Sequence, residues 1–535
     1  MMALMLSTML SAKATSYYIS PKGNNSNSGL TAKKAFATLS VAQTLVVPGD
    51  TVFILPGTYK LTNDDVMGEE VASSTVTYKV VFDLNKSGDL ETPIYYIGVI
   101  DKETGKRPVF DLTQVSMEGF RITGFLVRGD FLILKNFEVV GIQVDASLHG
   151  STRKTQSENI RVTNGSFNTF ENIACHDGMG IGFYLTKKSA CNLFVNCDGY
   201  NNYDPLTDLT PKDGDIPREG AMGTGGNNDG FGCHVNNDSP GNVFIGCRAW
   251  NNADDGYDLI NCFSKTTFCY SIAYKNGYDA DNKGRGDGNG FKAGGYGMDT
   301  VNVKIDSKSV PMHEVYHCIA ASNKTNGIYS NHHLGGVWFH ENTSYRNGSF
   351  NYSLVNRMGP GKDEAVDVNG YNHRLEYNLS MVSDGKDNHV TSLRGDHSYN
   401  ILTGNTFYWV DKNSGGWAYT AYGNSIFEST KVADFIAPRD DDGMLSETTL
   451  AVMRQKNYLG LGCSFESYQA TITRLRELAG AEIYIRATGI IPPVNTCEDY
   501  SGTQNVWYDL QGRKIHQKPT QKGLYIHNGK KIIIK

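Results

Sequence analysis

Asp229-Gly230-Phe231-Gly232, Asp255-Gly256-Tyr257-Asp258 and Asn289-Gly290-Phe291-Lys292 repeat one pattern: an acid or amide, a glycine, an aromatic and a variable residue, at intervals of 26 and 34. A recurrence in the tens of residues, without long heptads, marks a coil that stacks one supersecondary unit on the next. Stacking puts the variable positions Gly232, Asp258 and Lys292 one above another, with adjacent parallel strands about 4.8 Å apart. Side chains alternate along a strand, so if the aromatic residues face the core, Asp258 and Lys292 face solvent on one sheet.

A second column runs through the same region. Phe194, Phe244, Phe268, Val315, Phe339 and Leu375 recur at 50, 24, 47, 24 and 36, and the shortest interval suits one turn of a three-sided coil. Six residues after Phe194, Phe244, Phe268 and Phe339 stand Tyr200, Trp250, Tyr274 and Tyr345. Asparagines crowd the turn that follows, at Asn201-Asn202, Asn251-Asn252, Asn276 and Asn347. Asn tolerates left-handed backbone angles, and its amide can bond to neighbours above and below. Cys197, Cys247 and Cys318, three of ten cysteines, share one repeating slot and read as inward-stacked free thiols rather than bridges.

The bulk numbers agree with a turn-rich, mostly β chain: 535 residues, 39% hydrophobic and 20% charged, with 58 Gly, 30 Tyr and 23 Phe. A formal net charge of -6 supplies no basic field, which argues against a nucleic-acid partner. Beyond the N-terminus no segment approaches the roughly 20 apolar residues needed to span a bilayer. Met1 to Ala14 is apolar and ends Ser11-Ala12-Lys13-Ala14, which reads as a secretory signal with a small-x-small cleavage site.

Four regions are expected: residues 1–14 as a signal peptide, 15–445 as the coil with its N-terminal cap, 446–500 as a closing cap and helical linker, and 501–535 as a small tail. In the cap, Tyr17 to Gly23 reads as a strand and turn, Ala32 to Val46 as a helix, and Val52 to Tyr59 as the entry into the coil, a continuous apolar strand ended by Pro56-Gly57. Ser467 to Leu478 has the spacing of an amphipathic helix. Two insertions, Asp204 to Gly226 and Asp279 to Asn289, each enter just before a strand of the opening column. The fold class is all-β, a coil of stacked parallel strands with an N-terminal helical cap and a small C-terminal β tail.

The column also carries chemistry. Asp229, Asp254, Asp255 and Asp258 fall on two adjacent rungs, where four carboxylates repel unless a cation joins them. Ca²⁺ takes six to eight hard oxygen ligands, and no Cys or His stands among the four, so calcium is the expected cofactor. A lysine beside a bound dication has its charged form disfavoured, which is expected to lower the pKa of Lys292 toward that of a general base. Such a base beside a cation suits removal of the C5 proton of a uronic acid polymer, followed by β-elimination of the C4 glycosidic oxygen.

At these residues the sequence resembles polysaccharide lyase family 9, the parallel β-helix pectate lyases, over roughly Tyr17 to Leu445. The motifs that carry it are Asn228-Asp229-Gly230-Phe231, Arg248 to Asp258, and Gly288-Asn289-Gly290-Phe291-Lys292-Ala293-Gly294-Gly295. The resemblance implies a right-handed parallel β-helix, calcium ligands Asp229, Asp254, Asp255 and Asp258, and Lys292 as the Brønsted base. It also implies an acidic pectic polysaccharide as substrate, either polygalacturonate or the rhamnogalacturonan-I backbone. After the base the chain departs from the family's Gly-Phe-Asp-type strand, with Gly327-Ile328-Tyr329-Ser330-Asn331-His332-His333. Lys265, Arg285, Asn323, Asn331, His332, His333 and Arg357 are the candidate substrate contacts. The tail, with Val506 to Lys514 and Lys522 to Ile526, resembles C-terminal domains that sort exported proteins in some Gram-negative bacteria, so a secreted or cell-surface monomer is expected. Two other readings stay open: a β-helix glycoside hydrolase using Asp254 and Asp255, and a non-catalytic polysaccharide-binding adhesin.

Overall fold

The structure, a computed structural model, describes residues 14–73, 76–144, 156–205, 226–296, 310–358, 366–381, 390–393, 400–411, 416–479, 507–508, 514–515, 520, 523–527 and 530–534. The expected signal peptide, most of the first insertion and Cys497 lie outside these residues. The described chain forms two compact units, Met1–Tyr468 and Gln469–Lys535.

In the first unit short strands distribute in rotation to three long sheets of 12, 10 and 11 strands, paired in parallel apart from one hairpin, Gly68–Val71 with Thr77–Leu84. Both columns seen in the sequence are real registers. Phe194 pairs with Phe244, Phe244 with Phe268, Phe268 with Val315, Val315 with Phe339 and Phe339 with Leu375 on the first face. Tyr200, Trp250 and Tyr274 align on the second, where Ala321 separates Tyr274 from Tyr345. On the third, Phe231 pairs with Tyr257 and Tyr257 with Phe291.

Why these residues stack follows from their shapes. Phe183, Phe231, Tyr257 and Phe291 lie face to face with centroids 4.8, 4.9 and 4.5 Å apart, so the coil spacing is also a ring-stacking distance. Each such pair contributes about 0.5–1.5 kcal/mol beyond the area it buries. The glycine of each Asp/Asn-Gly-aromatic motif has its own steric cause. A Cβ on Gly256 would sit 2.7 Å from the Asn276 amide nitrogen and 2.7 Å from the Gly290 carbonyl, and Gly290 is equally confined by Asn323 and Gly327.

Those asparagines form a ladder through the corner between the second and third faces. Each Nδ2 donates to the next Oδ1 at 3.0 Å, from Asn202 through Asn252, Asn276 and Asn323 to Asn347. The residue before each rung takes a left-handed conformation, as at Asn201 (φ 53°) and Asn251 (φ 51°), which explains the doublets. The nine described cysteines are free and buried.

Two local expectations, the helix in the cap and the solvent exposure of the site pair, are corrected. The segment from Ala32 to Val46 is not one helix but a 3-10 turn, Ala32–Lys34, and a helix, Leu39–Leu45. Phe36 interrupts them because its backbone bonds to Tyr18 and Ser20 beside the first strand, Ser16–Ile19. The apolar strand expected from Val52 is present as Thr51–Ile54, ended at Pro56-Gly57, where the chain turns to the next face and Thr58–Thr62 begins. Asp258 and Lys292 point away from the core, yet they are only 6% and 7% exposed.

On the second face, residues 424–468 lie across the outer side of the coil. Arg248 donates from Nη1 to the carbonyls of Phe435 (3.1 Å) and Ala437 (2.7 Å), and its Nη2 meets Asp198 at 2.8 Å. Arg439 reaches the same carboxylate at 2.6 Å. Burial works to raise the pKa of Asp198, but Arg248 and Arg439 hold it well below the usual carboxylate range. A helix follows at Tyr468–Ala479, close to the expected limits. The tail carries four short antiparallel strands: Trp507–Tyr508, Lys514–Ile515, Gly523–His527 and Lys530–Ile534. Among the described residues no helix is long and apolar enough to cross a membrane.

Burial pushes His317 and His333 down to about 4 and His373 to about 3, so all three are neutral in the fold. A folded pKa below the ordinary value adds stability that is present above about 6.5 and lost as pH falls toward 4 and 3. At about 1.4 kcal/mol per pKa unit, His317 and His333 contribute about 3 kcal/mol each at most and His373 about 5. His176 and His340, set between carboxylates, shift upward against burial and offset part of this. Thermal melts across this range should show Tm falling from about pH 6.5 to 4; a flat profile would refute the buried neutral histidines.

Candidate active site

Asp258 ends the strand Tyr257–Asp258, and Lys292 ends the next, Phe291–Lys292; the two are register partners. Lys292 Nζ lies 3.0 Å from Asp255 Oδ2, 3.2 Å from Asp258 Oδ2 and 3.9 Å from Asp287 Oδ2. The bends before the strands supply the other carboxylates, and backbone amides fix each of them. Asp229 Oδ1 accepts from the Asp255 amide at 3.0 Å. Asp255 Oδ1 accepts from the backbone and side-chain nitrogens of Asn289 at 2.6 and 2.9 Å. Asp254 accepts from the Asn227 and Asp287 amides, and Asp258 Oδ1 from Ile260.

The carboxylates fall into two overlapping trios, Asp229 with Asp255 and Asp258, and Asp254 with Asp255 and Asp287. Within each trio one oxygen per residue lies within 4.8 Å of the others. Burial raises the pKa of Asp229, and Asp254, Asp258 and Asp255 raise it further. Asp255 is pushed up to about 8 by burial, with Lys292 opposing and Asp254 and Asp258 adding to the rise. Such a group of desolvated carboxylates wants positive charge. Asp255 Oδ2 is buried, makes no hydrogen bond and faces Lys292 Nζ. An all-oxygen donor set of this kind fits a hard cation such as Ca²⁺.

For Lys292 burial alone would lower the pKa, but Asp255, Asp258, Asp254 and Asp229 hold it well above the usual lysine value. The expected downward shift belongs to Lys292 beside a bound dication; the side chains alone act in the opposite direction. The carboxylate field outweighs desolvation, so only a cation that cancels that field leaves burial to favour the neutral amine.

The remaining sequence candidates scatter. Asn323 is a rung of the asparagine ladder, and His333 is fully buried, accepting from the Gly295 amide and meeting the Pro311 carbonyl; neither can touch a polymer outside. Lys265 sits on the first face, paired with Glu314 at 2.6 Å beside the Trp338 ring, away from Lys292. Arg285 packs over Tyr203 and pairs with Asp279 at 2.7 Å. Asn331 donates to the Gly294 carbonyl at 2.7 Å and fastens the turn after the base. His332 and Arg357 meet at Asp367, at 2.8 and 2.9 Å, beside Tyr329. Asp287 was not among the expected metal residues. Its place in the second insertion, two residues before Asn289, was the available signal, but only the folded loop turns it toward Asp254.

Comparison with known proteins agrees with the coil architecture. Residues 17–378 match the family description "Pel9A-like, right handed beta helix region". Pectate lyase L of Dickeya dadantii (strain 3937) is 31% identical over 438 residues, which cover 81% of this chain and 82% of that one. A solved rhamnogalacturonan lyase shares 37% identity with a TM-score of 0.72, covering 84% of this chain and 100% of the other. Pectate lyase Pel9A follows at 28% identity and TM-score 0.59, covering 84% and 91%.

Proposed function

Since the chain belongs to the Pel9A-like right-handed β-helix family and is a pectin-degrading polysaccharide lyase, we propose that it performs calcium-dependent β-elimination at 4-linked galacturonate of the pectin backbone. The observation that carries this is the register of Lys292 on Asp258, which sets an amine 3.0 and 3.2 Å from two carboxylates of an acidic cluster. Asp229, Asp254, Asp255 and Asp258 would hold the ion, and Asp287 closes the same group. Bound there, calcium supplies positive charge against the substrate carboxylate and so acidifies the C5 proton.

Lys292 does the rest as a neutral amine. Its Nζ takes the C5 proton, the C–H electron pair forms the C4–C5 double bond, and the C4–O bond breaks. The leaving glycosidic oxygen takes a proton from solvent, and a 4,5-unsaturated end results. Asn289 and Ile260 keep Asp255 and Asp258 oriented toward the amine throughout. Export, with the tail as a sorting element, is part of the same proposal, supported by the apolar sequence Met1 to Ala14 and by the C-terminal sequence.

The test is incubation with polygalacturonate and rhamnogalacturonan-I, with and without chelator, reading the ultraviolet absorbance of unsaturated uronide. Chelation should remove at least about 100-fold of the rate, the order expected for loss of a preorganised charge, and added Ca²⁺ should restore it. Saturated products would show hydrolysis by Asp254 and Asp255 instead, and binding without cleavage would show an adhesin. Full activity in chelator would remove the metal from the proposal.

A further inference from the structure

The outward positions of the site face run, rung by rung, Leu126, Arg161, Tyr184, Gly232, Asp258, Lys292 and Tyr329. A rung of about 4.8 Å is close to the length of one pyranose, so a polymer lying along this column meets roughly one sugar per rung. Toward the N-terminal end of the coil the column does not stay open. Leu126 stands outside the core cluster yet is fully buried, and Arg161 is 4% exposed. Tyr184, one rung nearer the site, is half-buried, and Gly232 after it has no side chain.

The antiparallel hairpin of Gly68–Val71 and Thr77–Leu84 lies over this end. In sheet order Gly68–Val71 is the edge strand, four places from Ile181–Lys187, so a flat sheet would set the two about 19 Å apart. Glutamate and lysine side chains, both extended, bridge only about 10 Å. Yet Glu70 lies 3.4 Å from Lys187 Nζ and 3.2 Å from Arg161 Nε. The hairpin therefore curls back across the outward side of the sheet and seats Glu70 on the column. Beside it the Arg161 guanidinium lies over the Tyr78 ring at 4.2 Å and pairs with Glu158 at 3.2 Å, and Glu158 also accepts from the Tyr78 hydroxyl at 2.7 Å. Glu70, Glu158 and Arg161 are all buried, so opposite charges taken out of water fasten the hairpin in place.

We propose that this hairpin is the end wall of the polymer groove, so that the enzyme cuts close to a chain end and releases short products of narrow length. The proposal rests on the lyase reading above and specifies how that site meets its substrate. From Lys292 the column passes Asp258, Gly232 and Tyr184 before it reaches Arg161, so about three sugars fit on that side of the reacting uronate. Whichever way the chain runs, the piece released toward the wall is at most about four sugars long.

The test follows early products on polygalacturonate and rhamnogalacturonan-I, sized by chromatography after reducing-end labelling, with the absorbance of unsaturated uronide and the viscosity of the polymer read alongside. On the polymer it degrades, the wild type should give a narrow band of at most about four sugars while viscosity falls slowly. Glu70→Arg sets a third cation against Arg161 and Lys187, and should shift early products beyond about four sugars and raise the viscosity lost per bond cut. Lys187→Glu, at a side chain 40% exposed, repels Glu70 and should shift them the same way. Thermal melts check that each variant is folded, and Lys187→Glu carries the test if Glu70→Arg is not. A wild type that yields a broad ladder of products, or a narrow band unmoved in the folded variants, overturns the wall while leaving the lyase standing. No unsaturated product from either polymer overturns the lyase reading and the wall with it.

Discussion

Lys292→Ala is expected to lower kcat by about 10³-fold or more, toward the upper part of the range for loss of a positioned general base. The reason is that no other described amine can replace it: Lys292 Nζ sits within 3.2 Å of both Asp255 and Asp258, while Lys324 is tied to backbone carbonyls. Lys292→Arg sharpens the test. A guanidinium keeps the charge that neutralises the carboxylates but does not give up its proton near neutral pH. It should therefore be as inactive as the alanine variant while melting near the wild-type temperature. Calcium affinity of the alanine variant, read by calorimetry, should hold or rise, because a competing cation has left the carboxylates. Either variant retaining a tenth of the wild-type rate would remove Lys292 as the base.

Asp198→Ala is expected to cost about 3–5 kcal/mol of stability, the range for breaking a buried ion pair by removing one partner. Arg248 and Arg439 converge on this single carboxylate, and all three are buried to about 5–7% side-chain exposure. Without it two guanidiniums face each other beneath the segment that carries Phe435 and Ala437. Chemical denaturation should show the loss as a lower midpoint, while kcat per folded molecule stays near wild type. A change under about 1 kcal/mol would mean that this segment adds little to the coil.

The coil and the centre of the site were legible because stacking makes them periodic. An aromatic at Phe231, Tyr257 and Phe291 fixes the register, and alternation then brings Asp258 and Lys292 to adjacent rungs. What escaped was set by contacts distant in sequence. Phe36 splits the expected helix because the first strand takes its backbone, and nothing in Ala32 to Val46 announces that. Asn323 looked like a surface amide because its position in the ladder shows only once Asn276 and Asn347 are seen to bracket it. The upward pull of the carboxylates on Lys292 escaped for a related reason. The carboxylates lie on neighbouring coils and are closed off by the second insertion, so their summed field is a property of the assembled stack.

The asparagine ladder also bears on how such an enzyme can diversify. The chain from Tyr257 to Phe291 is eight residues longer than that from Phe231 to Tyr257, yet both steps join the same positions of adjacent strands. Asn276 and Asn323 clamp the corner on which the extra loop is hung, so growth there is absorbed outside the stack. Rim loops can accordingly be traded or lengthened to suit new polymers, while the distance between acid and amine is inherited unchanged from the architecture beneath.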